Sequence, residues 1–243
     1  MTRPPIADRE ATRLRFMTNM SRIAAITTFL HSGVAGLEQT GLFRSEGVRA
    51  DLLRAVVVFL HASFEDFVRS HFRKPNKKVS FSSNSDIERA LKRLKVEPAL
   101  YKDLFPPLTQ MTKRRHQIVH RADLCDAQSD TSNPWNITDD WQLIHWHLVV
   151  AVFYHRVRKA TGPISMVEDR ARQNVECALV KNIEFARELV AFPKLSLEER
   201  QQGAANLAEL SNNILGTLKL NVEMFLDADG KPIEGALIPD VQT

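Results

Sequence analysis

Apolar residues recur every three to four positions over long stretches of this chain, the spacing of one helix face rather than the alternation of a strand. Leu14, Met17, Ile23, Ile26 and Leu30 predict a first helix over 8–30. Leu53, Val56, Val57, Leu60, Phe64, Phe67 and Val68 predict a second over 46–72, with an apolar face broad enough for a central core helix. A short helix is expected from Ser85 to about Val96, stopping ahead of Pro98 because a residue before proline avoids the helical region. Pro106 and Pro107 open the next helix, which carries the stretch KRRHQIVHRAD, Lys113 to Asp123, toward its C-terminal end. Three more are expected over 141–160, 166–191 and 197–226, making seven.

Start and stop signals agree with this periodicity. Ser85 with Glu88, Ser165 with Glu168 and Ser196 with Glu199 have capping-box spacing. Thr138, Asp139 and Asp140 suit a helix start, and Gly162-Pro163 suits a helix end. With nine glycines and no regular series of turn signals, the fold class is all-α.

Composition narrows the setting. At 243 residues and 44% hydrophobic, the chain can bury a real core. No apolar run reaches the ~18 residues of a membrane span, and MTRPPIADRE lacks the apolar centre of a secretory signal. Two cysteines, Cys125 and Cys177, are too few for a disulfide framework, so a reduced cytoplasmic protein is expected. Charge is uneven. From Ser196 onward there are 8 acids and 3 bases, a net of −5, which leaves +9 on residues 1–195 out of a total of +4. Arg69, Arg73, Lys74, Lys77 and Lys78 form one acid-free cluster, and Lys113, Arg114, Arg115 and Arg121 form another. Such clusters attract polyanions, nucleic acid being the commonest.

Glycine-rich phosphate loops and a GxSxG elbow are absent, and DADG at 227–230 lacks the further ligands of a calcium loop. The chemistry therefore rests on KRRHQIVHRAD. His116 and His120 lie about 40° apart on a helix and would suit a metal, but Gln117 stands where a metalloprotease has its glutamate, and no third ligand is evident. No metal or cofactor is expected. The same residues suit metal-free RNA cleavage: imidazoles titrate near neutrality and serve as base and acid, and a guanidinium neutralises the phosphorane. Arg115 and His120 are about 140° apart on a regular helix, so they converge only if the helix ends or loosens between them, or if a two-fold dimer brings two copies together. A structural role, with Arg115 and the histidines capping helix-end carbonyls, fits the same residues. Trp141, Trp146, Phe153 and Tyr154 read as core aromatics, and His145, His147 and His155 as satisfied or solvated histidines.

Arg115-His116-Gln-Ile-Val-His120 resembles the R-x4-6-H motif of the HEPN superfamily of helical domains, in which a polar residue often follows the arginine, as His116 does here. RRHQIVHRAD and the upstream HASFEDFVRSHF are similar to the corresponding stretches of RiboL-PSP-HEPN-type domains. The resemblance covers roughly residues 10–190. It implies an antiparallel helical bundle, taken here over 1–195; residues 196–243 lie beyond it and are read from their charge and capping pattern as an acidic C-terminal helix and loose tail. It further implies a metal-independent endoribonuclease that acts at a homodimer interface and leaves a 2′,3′-cyclic phosphate, in the manner of a toxin or antiviral effector. Carried over, Arg115 would stabilise the phosphate, His120 would be the acid/base group, and His116 would position substrate. Glu65, on one stripe with His61 and Arg69, would orient the Arg115 guanidinium. Lys113, Arg114, Arg121 and Arg69 would contact RNA, and a cognate antitoxin or regulatory protein is a further expected partner. The alternative is a HEPN-like module that holds RNA or protein without cutting.

Overall fold

A computed structural model describes residues 6–32, 45–72, 84–121 and 140–191, together with Glu209 and Asn213. Apart from Glu209 and Asn213, the expected helix over 197–226 lies outside the described residues, as do the basic residues Arg73, Lys74, Lys77 and Lys78, Cys125 and the Trp141 side chain. Those residues form an all-α helical bundle without strands: α1 (Ile6–Ser32), α2 (Ser45–Phe72), α3 (Asn84–Arg93), two single turns of 3-10 helix at Pro98–Leu100 and Lys102–Leu104, α4 (Phe105–Arg121), α5 (Asp140–Thr161) and α6 (Met166–Ala191). No helix among them is long and apolar enough to cross a membrane.

Six of the seven expected helices are present because their apolar stripes find partners. Every member of the α2 stripe from Leu53 to Val68 is buried. Phe67 packs between Phe16 of α1, 5.2 Å away, and Tyr154 of α5, 5.0 Å away, while Phe16 stacks on Tyr154 at 4.4 Å. Phe64 meets Phe153 edge-on at 5.3 Å. Such offset and edge-to-face contacts add about 0.5–1.5 kcal/mol per pair to area burial. Trp146, Phe153 and Tyr154 are thus core residues as the periodicity predicts. The contacts Phe64–Phe153 and His71–Thr161 set α2 and α5 in the same direction. His145–Asn182, Arg156–Glu176 and Lys159–Asp169 set α5 and α6 antiparallel.

The Ser165/Glu168 capping box is complete. The Ser165 N–H donates to Glu168 Oε2 at 2.8 Å, and the Glu168 N–H donates to Ser165 Oγ at 3.0 Å. The other carboxylate oxygen accepts from Arg13 of α1 at 2.7 Å, with Arg158 at 3.7 Å, so one buried acid starts α6 and ties it to α1 and α5. Glu168→Gln keeps an acceptor for the cap but removes the charge opposite two arginines. A loss of about 2 kcal/mol is expected in urea unfolding, in the range for hydrogen bonds to charged groups. At α3 the helix begins one residue before Ser85. Glu88 pairs with Lys92 at 2.9 Å, and Asn84 donates to the Phe105 carbonyl and to Thr109 of α4.

The expected end of α3 at Val96 is shortened to Arg93 by a Schellman turn, in which the Val96 N–H bonds Leu91 O at 3.1 Å and the Lys95 N–H bonds Lys92 O at 3.1 Å. Lys95 takes φ 59°, the left-handed conformation that favours glycine, while Val96 is buried. Lys95→Gly is therefore expected to raise stability by about 0.5–1 kcal/mol, read as a higher unfolding midpoint in urea.

The expectation for the α5 histidines needs correction at His147. His147 is neither satisfied nor solvated: it is fully enclosed, and neither ring nitrogen has a hydrogen-bond partner. It sits four residues after Leu143 and one after Trp146, on the buried side of α5. His155 is also buried, close to Arg172, Arg158 and Arg13. Burial lowers both imidazoles to about 3, and for His155 the three arginines add to the effect. His145 is satisfied, with Nδ1 3.1 Å from Asn182 Oδ1.

Candidate functional site

The site is built where α4 packs against α2. Pro106 and Pro107 occupy the first turn of α4, where a missing N–H leaves no helical bond unmade. Leu108 and Met111 are buried and Ile118 packs against the core, so one stripe fixes the rotation of the helix. Arg114 continues that stripe, three residues after Met111 and four before Ile118, and is only 5% exposed. It is therefore a packing residue with partners inside the protein, which corrects its expected place on an RNA-facing surface. The apolar positions on either side of it were the available signal.

Arg115, the next residue, is half-buried. Among the described residues its guanidinium makes no hydrogen bond and no ion pair. It lies close enough to His61 of α2 for its charge to act on that imidazole. His61 is 9% exposed and also has no hydrogen-bond partner among the described residues. Its pKa is lowered, first by burial; Glu65 opposes that shift, and Arg115 and Arg69 add to it. His61, Glu65 and Arg69 do share a stripe of α2, but the Glu65 carboxylate bonds Arg69 at 2.6 Å rather than Arg115. The expected direct orientation of Arg115 by Glu65 is replaced by a neighbourly arrangement in which both act on His61.

His116 and His120 are exposed on α4, their ring centroids 4.5 Å apart. Val119 beside them is 45% exposed, unusual for a large apolar residue of this bundle. Lys113 is exposed as expected; Arg69 is exposed but paired; Arg121 closes α4, and its side chain lies outside the described residues. The helix is unbroken from Phe105 to Arg121, so no helix end or loosened turn brings Arg115 and His120 together. The site in one chain is thus divided: a guanidinium at the α2–α4 seam, and a histidine pair on the outer face.

No described group of three or more His, Cys, Asp or Glu side chains is placed to hold a metal ion. No protein-family model, curated protein or solved structure matches this chain.

Proposed function

We propose that this protein is a metal-independent endoribonuclease of the HEPN type, acting as a homodimer on RNA. The observation that carries this reading is the half-buried Arg115, without a partner among the described residues, on the same unbroken helix as the exposed His116–His120 pair. A guanidinium held at a protein seam without an internal partner is ready for a phosphate oxygen. In this reading a two-fold dimer would set the histidine pair of one copy opposite the Arg115 of the other and would cover the exposed Val119.

In this reading one imidazole, His120, takes the 2′-OH proton while the oxygen attacks phosphorus. The 5′-oxygen leaves with a proton from an imidazolium, the product is a 2′,3′-cyclic phosphate, and Arg115 stabilises the phosphorane. His116 positions the substrate. The test is incubation of the purified chain with RNA in EDTA, with end analysis for cyclic phosphate. RNA that is bound but left whole would identify a binding module instead, and the nuclease reading would fall.

A further inference from the structure

The unbroken α4 presents two imidazoles to solvent on one side. His116 and His120 lie one turn apart, about 40° around the helix axis, and both are exposed. Their ring centroids are 4.5 Å apart with the planes inclined by 47°, so the rings do not stack face to face. A zinc-like ion bonds an imidazole nitrogen at about 2.0–2.1 Å, which puts each ring centroid about 3.2 Å from the ion. Two rings so placed at a right angle have centroids about 4.5 Å apart, the spacing found between His116 and His120. At exposed positions the rings turn readily, which brings one nitrogen of each to a common point. Lys113, exposed one turn before the pair, and Arg115 make the surroundings cationic. Charge attraction therefore draws no metal ion there, and an ion that stays is held by its bonds to nitrogen.

We propose that His116 and His120 chelate one divalent late transition-metal ion, Cu²⁺, Ni²⁺ or Zn²⁺, with solvent in its other positions. Catalytic zinc sites keep three protein ligands, and no group of three His, Cys, Asp or Glu is assembled among the described residues. The ion thus occupies the pair without supplying hydrolytic chemistry of its own. The chelate stands independently of the proposed nuclease activity; its consequence for cleavage rests on that reading. The ion takes the lone pairs through which His120 accepts a proton and His116 meets substrate, so loading stops RNA cleavage and a chelator restores it.

The test adds Zn²⁺ to the untagged full chain while the histidine ring resonances are followed by NMR and binding is measured by calorimetry. One ion per chain is expected, with ring shifts at His116 and His120 and with Cu²⁺ bound more tightly than Ni²⁺ or Zn²⁺. His116→Ala and His120→Ala should each weaken binding about 100-fold, because a second ligand on the same rigid helix acts at high effective concentration. Both positions are exposed, so the variants keep the wild-type fold, which circular dichroism checks. Ring signals that stay put at millimolar Zn²⁺ overturn the chelate. So do single variants that lose half the bound ions at unchanged affinity, the mark of two independent imidazoles. Where wild type cuts RNA in EDTA, cleavage should fall in step with occupancy, and cutting undiminished at a saturated site overturns the inhibition. If the rings respond but RNA stays whole in EDTA, the nuclease reading falls and the chelate stands. If RNA is cut and the rings are silent, the chelate alone falls.

Discussion

His120→Ala is expected to lower RNA cleavage by about 10²–10⁴-fold, the usual contribution of a positioned acid or base. Arg115→Ala is expected to cost about 10²–10³-fold through loss of charge at the phosphorane. Neither should unfold the protein, since His120 is exposed and Arg115 makes no internal bond among the described residues. A sharper result is expected from mixing the two variants. On an unbroken α4 the two side chains diverge, so under the proposed nuclease reading a productive pair would consist of Arg115 from one copy and His120 from the other. A mixed dimer retains one such pair, and random exchange of equal amounts should restore roughly a quarter of wild-type activity. Single-turnover cleavage of a labelled RNA in EDTA measures this, and a mixture as inactive as its components would exclude a site shared across the dimer.

The second large effect is on stability. Burial holds His147 and His155 at about 3 in the folded protein, against the ordinary imidazole value of 6.5. Below 6.5 the unfolded chain takes up protons that the folded chain refuses, so stability is full above that value and falls as pH drops toward 3. The slope is about 1.4 kcal/mol per pH unit for each histidine. Between pH 7.5 and 5 the two together should remove about 4 kcal/mol, a large share of the 5–15 kcal/mol of a typical domain. Both His61 and His145 are lowered by burial as well, and they act in the same direction. Urea unfolding at the two pH values measures the loss, and His147→Leu should reduce its pH dependence by about 2 kcal/mol. A folded His147→Leu protein with the full wild-type slope would show that His147 is not kept neutral.

The helices were legible because their apolar spacing is strong. The stripe from Leu53 to Val68 defines α2, and the Ser165/Glu168 cap marks the start of α6. Less legible were the polar residues that interrupt such stripes. Arg114 was assigned by its charge to a surface cluster, although Met111 and Ile118 place it on the inward side of α4. His61, four residues after Val57 and three before Phe64, and His147, four after Leu143, follow the same rule. Spacing gives direction, and the outcome at these positions depends on which neighbouring helix closes over them. Distance was also out of reach: the sequence put Glu65 and Arg69 one turn apart but did not decide whether the carboxylate would choose Arg69 or Arg115. The proposal of a HEPN-type activity rests on the motif resemblance and on the chemistry of these side chains.

Arg114 has a consequence for the length of the chain. Its burial between Met111 and Ile118 keys the angular setting of α4 as a splined shaft is keyed in its housing. One residue inserted ahead of Thr112 would turn everything after it by about 100°. The bundle would then hold either its apolar stripe or the present setting of Arg115, His116 and His120, but not both. Point substitutions on the outer face leave that setting alone, so the packing of this segment withstands a change of side chain there but not a change of length.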